Sequence, residues 1–470
     1  MPGHRERPVG PRRPDPRPSD APRWMTRISV PANASSLRNV PSPSTDRVAR
    51  ALDAIDRLDP TLHAWVTVDR EAALRAARTS DRLILTGRAR SELEGVPIGV
   101  KDVIDTKGLR TTYGSSVFES HVPARDARVV ARLRRSGAVI VGKTTTTPFA
   151  MFDPTITGNP WNLERTPGGS SSGSAAAVAA GIVPLAVGTQ TSGSTIRPAA
   201  FCGIVGFVPA PGRISRVGIF PCSPSLDRVG LFACTVAEVA QLYQACATYS
   251  GRASPSLGRA DNGVHRVAIL EPLVARAAPE MTDAVASAVA VLERLGVAVE
   301  TASLAGFERA LAANTTIMQF ELARTHRGLF ESRASAYPPG LRDFILEGSA
   351  VPVPAYRAAV RERRRFRRSV EDLLERFDAL LSPAAPGEAG GRSSTGDPVM
   401  NVIAGLSGAP AVTIPATLSR AGLPLGIQLV AGADAEADLL HLAGRVEREI
   451  AFQSVPPLHV SRRNLPPARS

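Results

Sequence analysis

Two serine- and glycine-rich stretches carry the residues of this 470-residue chain that could do chemistry. "PGGSSSGSAAAVAAG" spans residues 167–181, and "SGSTIRPAAFCG" spans residues 192–203. A serine hydroxyl is a weak nucleophile until a base removes its proton, and histidine is the usual base. The chain has seven histidines, and none lies in either stretch. A reactive serine here would therefore need a base of another type.

Lysine is the candidate for that base. Only three of the 56 basic residues are lysines, and arginine fills the other positions. A buried lysine can lose its proton near neutral pH, whereas arginine cannot. Lys101 lies in "VPIGVKDVI" (96–104), which predicts a strand that runs into a turn. Lys143 follows a predicted buried strand and is the rival base, while Lys107 is predicted to lie in a solvated turn.

Three segments together resemble the amidase signature family. In chain order they are "GVPIGVKDVIDTKGLRTTYGS" (95–115), "NPWNLERTPGGSSSGSAAAVAAG" (159–181) and "GTQTSGSTIRPAAFCGIVGFVP" (188–209). Their order and separations agree with that family, and the similarity extends over about residues 44–456. The resemblance implies an amidase signature fold of the α/β class, with a central mixed, twisted sheet covered by helices on both faces.

The resemblance also implies a Ser–cisSer–Lys triad, which needs neither a metal nor an organic cofactor. The lysine of the family's "VKD" segment matches Lys101, which would be the base. The bridging serine matches Ser170, and a cis peptide is expected between Gly169 and Ser170. The nucleophile matches Ser194. Ser194 would thus attack the substrate, and Ser170 would relay its proton to Lys101.

The loop around Ser194 has the composition of an oxyanion hole. Its small residues allow a tight turn whose backbone N–H groups can point at a developing negative charge. The loop departs from the family's common sequence, because Gln190 stands where aspartate is usual, Ser192 stands where glycine is usual, and Arg197 lies one place later. The predicted donors are the backbone N–H groups of Thr191, Ser192, Gly193 and Ser194.

Interpretations that give these residues no catalytic role stay open at this point. A Gly/Ser-rich turn before an alanine-rich helix is often only a packing turn, and "GGSSSGS" also resembles a phosphate-binding loop, although it lacks the Lys-Ser/Thr pair of that motif. Ser171 and Ser172 are predicted to be capping or scaffold residues. Asp102 and Asp105 follow Lys101 closely and are assigned no catalytic role.

Strands alternate with helices along most of the chain, which favours an α/β fold. The first helix is predicted over "STDRVARALDAIDRLDP", with a Ser/Thr cap and a proline stop. Residues 386–398 are predicted to form a loop that lies over the site. Three parts are expected: a disordered Pro/Arg-rich extension over residues 1–35, a single amidase domain over residues 36–460, and a tail over residues 461–470.

Composition limits the partners. The net charge is +13, but the basic residues are spread along the chain and accompany no nucleic-acid-binding motif, so a nucleic-acid partner is not favoured. No run of apolar residues is long enough for a membrane span. The four cysteines form no CxxC pair and are predicted to be reduced core thiols of a cytoplasmic protein.

The sequence therefore predicts an amide hydrolase. It would cleave a small or medium carboxylic amide to an acid and ammonia or an amine, through a seryl acyl-enzyme, and the resemblance implies a homodimer. Two alternatives stay open: the A-type subunit of a tRNA-dependent amidotransferase, which would need partner subunits, and a non-catalytic scaffold with the amidase fold. Retention of Lys101, Ser170 and Ser194 together argues against the scaffold.

Overall fold

The computed structural model describes residues 43–248 and 266–459. The predicted N-terminal extension (1–35) and C-terminal tail (461–470) lie outside the described residues. The division of the chain into an extension, one domain and a tail therefore stays a prediction.

One sheet of eleven strands runs through the described part of the chain. Most of the strands are fully buried, as expected for the centre of an α/β protein. The strands are β1 (Trp65–Val68), β2 (Pro97–Lys101), β3 (Val139–Thr144), β4 (Leu185–Gln190), β5 (Val205–Val208), β6 (Arg228–Ala233), β7 (Arg266–Leu270), β8 (Ala298–Ala302), β9 (Ala379–Pro383), β10 (Ala411–Leu418) and β11 (Pro424–Ala431).

The helices of the described ranges vary from a single turn to more than seven turns. They are α1 (Ser44–Leu62), α2 (Arg70–Leu85), α3 (Arg128–Arg135), α4 (Ser172–Ala179), α5 (Ile196–Cys202), α6 (Val236–Cys246), α7 (Glu271–Val274), α8 (Pro279–Arg294), α9 (Phe307–Arg333), α10 (Pro339–Ala350), α11 (Val353–Arg376), α12 (Val402–Ser407) and α13 (Glu436–Ile450). Within these ranges, none of the helices combines the length and the apolar character that a membrane crossing requires.

The sheet is mixed, as predicted. The strand order is β1-β3-β2-β4-β6-β5-β10-β11-β9-β7-β8. β2 is parallel to β3 and β4, and β7 is parallel to β8 and β9, whereas the other neighbouring pairs are antiparallel. The parallel pair β2 and β4 brings the C-terminal ends of both strands to one edge of the sheet. The predicted base and the predicted nucleophile loop both begin at that edge.

Helices cover both faces of the sheet. Along β4, Leu185 and Val187 belong to the apolar cluster that includes residues of α3 and α6, while Ala186 belongs to the cluster that includes residues of α1 and α4. Successive side chains of a strand point to opposite faces, so the two clusters lie on opposite sides of the sheet. The predicted fold class is confirmed.

The predicted ends of the first helix need correction. Within residues 43–248 and 266–459, no serine or threonine side chain caps this helix. Instead, the carboxylate of Asp81, a residue of the neighbouring helix α2, accepts the backbone N–H groups of Ser44 and Thr45. The helix also continues through Pro60 to Leu62. Asp59 holds this extra turn, because its backbone oxygen accepts the His63 N–H at 2.9 Å and its carboxylate accepts the Ala64 N–H at 2.6 Å.

Candidate active site

Lys101 is the last residue of β2, and its side chain is fully buried. Its Nζ lies 2.8 Å from Ser170 Oγ and 2.8 Å from Thr189 Oγ1. Burial away from water disfavours the ammonium form and lowers the pKa of Lys101 from its ordinary value to about 7. Both neighbours are hydroxyl groups, which can donate as well as accept. The site therefore accommodates a neutral amine, and the predicted base contacts the predicted bridging serine directly.

Ser170 follows a cis peptide bond, as the resemblance implied for Gly169–Ser170. The two preceding glycines are close to other backbone and side-chain atoms. A Cβ on Gly168, whose φ is +80°, would lie 2.8 Å from Pro198 Cα, and a Cβ on Gly169 would lie 2.7 Å from Thr395 Cγ2. A larger residue at either position would therefore disturb the backbone next to Ser170. Thr395 belongs to the loop 386–398, so this loop lies against the site as predicted.

Ser194 lies in the turn between β4 and α5 and is half-buried. Among the residues that the structure describes, no hydrogen bond reaches its hydroxyl, so the contact between Lys101 and Ser170 does not extend to Ser194. Hydrogen bonds of this kind commonly close only when substrate binds. Within the same described residues, the backbone N–H groups of Ser192, Gly193 and Ser194 donate to no protein acceptor. These donors are available to an oxygen of a ligand.

Gln190 explains how the unusual loop sequence keeps its shape. Its Oε1 accepts the backbone N–H of Thr195 at 2.9 Å and that of Ile196 at 3.0 Å, at the beginning of α5. Both N–H groups belong to buried residues and have no intrahelical partner at this position. An aspartate could accept the same two bonds, so the glutamine replaces the usual residue without loss of the acceptor.

We expect Gln190→Leu to lower the free energy of unfolding by about 2 kcal/mol, because two buried N–H groups lose their acceptor. Urea denaturation of the full chain measures this change. Gln190→Glu is the matched control, since it keeps an acceptor oxygen at the same place, and it should cost much less. Equal losses in the two variants would contradict the assigned role of the acceptor.

Arg197 ties three parts of the site together. Its Nη2 donates to Gly169 O at 2.7 Å, its Nε donates to Thr395 O at 2.8 Å, and its backbone N–H donates to Gly193 O at 3.1 Å. A Cβ on Gly193 would lie 2.5 Å from Asn401 Oδ1, so a side chain at this position would displace Asn401. The guanidinium group of Arg197 thus holds the cis peptide and the loop 386–398, and its backbone N–H holds the predicted oxyanion loop.

The structure adds three residues that the sequence analysis missed. Thr189 accepts from Lys101, Asp227 Oδ1 accepts the hydroxyl of Thr191 at 2.7 Å, and Asn314 Nδ2 donates to Ser192 Oγ at 3.0 Å. Thr189 lies inside the segment 188–209, which carries part of the family resemblance. Asp227 and Asn314 lie far from the motifs along the chain, and no local pattern distinguishes them.

Lys143, the rival base, has different surroundings. Its Nζ donates to Ile104 O and to Thr111 Oγ1, and it lies 3.6 Å from Asp102 Oδ1. The Thr111 hydroxyl itself donates to Leu109 O at 3.0 Å, so it accepts from Lys143. Burial lowers the pKa of Lys143 to about 8, and Asp102 acts in the opposite direction. Acceptors on every side favour the ammonium form, so Lys101 is better suited than Lys143 to accept a proton.

Comparison with known proteins gives a consistent set of similarities. Residues 46–440 match the sequence profile described as Amidase. The A-type subunit of the glutamyl-tRNA(Gln) amidotransferase from Picosynechococcus sp. is 33% identical, with 86% of this chain and 94% of that protein covered. The protein of the same name from Symbiobacterium thermophilum is 35% identical, with 88% of this chain and 93% of that protein covered.

Two solved structures are similar as well. The peptide amidase from Stenotrophomonas maltophilia has a TM-score of 0.77 and 28% identity, with 89% of this chain and 96% of that chain covered. A 6-aminohexanoate cyclic dimer hydrolase complexed with substrate has a TM-score of 0.81 and 26% identity, with 93% of this chain and 99% of that chain covered. Both similarities extend over nearly the whole described fold.

Proposed function

The chain belongs to the amidase family, and from this premise we propose that it cleaves a carboxylic amide through an acyl-enzyme on Ser194. The observation that carries the proposal is the fully buried Lys101, with its Nζ 2.8 Å from Ser170 Oγ. A buried lysine beside two hydroxyl groups has no evident structural purpose, whereas a neutral amine in that position can accept a proton.

The reaction begins with attack by Ser194 Oγ on the amide carbonyl carbon. Its proton passes to Ser170 Oγ as the proton of Ser170 passes to Lys101 Nζ. The oxygen of the tetrahedral intermediate accepts from backbone N–H groups of residues 191–194. The proton then returns through Ser170 to the leaving nitrogen, the C–N bond breaks, and ammonia or an amine departs. Water attacks the resulting ester by the same relay and frees Ser194.

The pH dependence of kcat/KM follows from the pKa of Lys101, which burial lowers to about 7. Only the neutral amine can accept the proton, so activity is expected above that pH and lost below it. We expect kcat/KM to fall about tenfold for each pH unit on the acid side. Initial rates across about pH 5 to about pH 9 measure the profile. A rate that stays constant through this range would contradict the role of Lys101.

The curated relatives favour a more specific version of this function, the A-type subunit of a tRNA-dependent amidotransferase. Their identities of 33% and 35% exceed the 28% and 26% of the amidase and hydrolase structures. In that version the released ammonia passes to a tRNA-linked carboxyl group, and partner subunits are required. The free amidase that the sequence analysis preferred has the support of the two solved structures. The chemistry at Ser194 is the same in both.

A panel of primary and aryl amides, including L-glutamine and L-asparagine, tests the proposal. Hydroxylamine intercepts an acyl-enzyme as a hydroxamate, so hydroxamate formation reports the acyl group whatever the leaving amine is. We expect the purified chain to form a hydroxamate from at least one amide. Absence of turnover with every amide, for a folded chain, would contradict a free amidase.

The two versions differ in what the chain does alone. A free amidase turns over its amide equally well with and without other proteins. An amidotransferase subunit prefers an amino-acid amide, and its rate rises when the subunits that accompany it in its own cells are present. Ammonia release from L-glutamine, measured for the chain alone and for the native complex, separates them. Equal rates in the two preparations would overturn the subunit version.

A further inference from the structure

We propose that Asp227 is a positioning residue of this site, which supplies a buried negative charge to protonated Lys101 and fixes the predicted oxyanion loop through Thr191. The inference rests on the proposed amide cleavage, and it assigns a role to a residue outside the Lys101–Ser170–Ser194 triad. Asp227 directly precedes β6, whose first residue, Arg228, pairs with Gln190 at the end of β4.

The Asp227 carboxylate is surrounded by donors. Its Oδ1 accepts the Thr191 hydroxyl at 2.7 Å, and its Oδ2 accepts the backbone N–H of Cys222 at 2.9 Å and that of Ser223 at 3.0 Å. In the described part of the chain, no basic side chain forms an ion pair with it. Hydrogen bonds thus stabilise the ionised carboxylate while its negative charge acts on the rest of the site.

The end of β4 connects this charge to Lys101. Thr189 accepts from Lys101, and Thr191 donates to Asp227. Thr189 lies in β4 and Thr191 directly follows the end of that strand, so a single residue separates the two contacts. Lys101 and Asp227 therefore contact nearby side chains of the same short segment. Inside a protein, opposite charges attract far more strongly than at the same separation in water.

The charge matters because Lys101 changes its protonation state in every cycle. Burial lowers the pKa of Lys101, and the carboxylate of Asp227 acts in the opposite direction. Burial also raises the pKa of Asp227, to about 6, which leaves this carboxylate ionised at the pH where Lys101 works. Asp227 thus stabilises the ammonium ion that forms when Ser194 attacks, and the same carboxylate holds the oxyanion loop.

Other titratable groups surround the pair and bear on its pH dependence. The Cys222 thiol lies near both Lys101 and Asp227, and burial raises its pKa far above neutrality, so it stays uncharged. The positive charge of Arg216 acts to lower the pKa of Asp227, and the negative charge of Glu321 acts to raise the pKa of Cys222. On the neighbouring strand β3, the buried Lys143 lies 3.6 Å from the carboxylate of Asp102, so the two opposite charges offset each other.

Two substitutions separate the charge from the hydrogen bond. Asp227→Asn removes the charge and can keep the contacts, because the amide oxygen accepts from Cys222 and Ser223 while the amide nitrogen donates to the Thr191 hydroxyl. Thr191→Val removes the hydroxyl and keeps the charge. Thr191→Ser keeps both and is the conservative control.

The three lysines of this chain allow a direct measurement. Full-length protein labelled with ¹³C-lysine gives three side-chain signals, and the exposed Lys107 serves as the internal reference. We expect Asp227→Asn to move the titration midpoint of Lys101 to lower pH by about one unit. Thr191→Val should leave the midpoint unchanged and lower kcat about tenfold, and Thr191→Ser should restore kcat.

An unchanged Lys101 midpoint in Asp227→Asn would overturn the proposal, and so would an equal shift in Thr191→Val. The wild-type protein, labelled with ¹³C-aspartate as well, provides a second test should Asp227→Asn fail to fold: the Lys101 signal should respond over the pH range in which the Asp227 carboxyl signal titrates, and a Lys101 signal that does not respond there would contradict the coupling. The titration requires no turnover, so it stays readable even where no amide is cleaved. Failure of the proposed function is thereby distinguished from failure of the inference.

Discussion

Ser194→Ala is expected to lower kcat for amide cleavage by about four orders of magnitude, because removal of the proposed nucleophile leaves only binding and the proposed oxyanion donors. The substitution deletes one oxygen atom from a half-buried side chain that holds no neighbour by a hydrogen bond among the described residues. The fold should therefore be unchanged. Steady-state rates on the best amide of the panel measure the loss, and thermal denaturation measures the fold.

Ser172→Ala is the matched control in the other serine-rich stretch. The Ser172 hydroxyl donates to Gly168 O at 2.8 Å, which is a structural bond. Its loss should lower the free energy of unfolding by about 1 kcal/mol and leave most of the activity. Equal activity losses in Ser194→Ala and Ser172→Ala would indicate a structural effect and would contradict the assignment of the nucleophile.

Lys101→Arg is expected to lower kcat/KM by about three orders of magnitude or more, since the guanidinium group keeps a positive charge but cannot lose its proton near neutral pH. This substitution separates a role as a base from a role as a fixed cation. Rates measured at high pH are the sharpest test, because a lysine deprotonates there and an arginine does not.

Lys107→Arg provides the comparison for that variant. Lys107 is exposed in a turn, so its replacement should change kcat/KM by less than about twofold. Substantial activity in Lys101→Arg would show that no neutral amine is required at position 101. The base would then have to be another group, and Lys143 would be the first to test.

The local segments of the site could be predicted from the sequence. β2, α4 and β4 are short elements that their runs of apolar residues predict. The family resemblance supplies the roles predicted for Lys101, Ser170 and Ser194. The contact between Lys101 Nζ and Ser170 Oγ at 2.8 Å agrees with that assignment. The catalytic roles themselves stay predictions until the variants are measured.

The tertiary contacts of the site could not be predicted in the same way. Asn314 reaches Ser192 from α9, more than a hundred residues away along the chain, and Asp227 reaches Thr191 across the β4–β6 ladder. Such contacts depend on strand order, which local periodicity does not encode. Nothing in the sequence indicated that Arg197 donates to Gly169 O, since a lone arginine in an arginine-rich chain carries no distinguishing signal.

Mass spectrometry of the acid-quenched reaction tests the central claim most directly. The full chain is mixed with its best amide, quenched within the first turnover, and analysed intact and after proteolysis. A covalent intermediate on Ser194 predicts a mass increase equal to the acyl group, located on the peptide that contains Ser194 and absent from Ser194→Ala. An acyl group on another residue, or turnover by Ser194→Ala at the wild-type rate, would contradict the account.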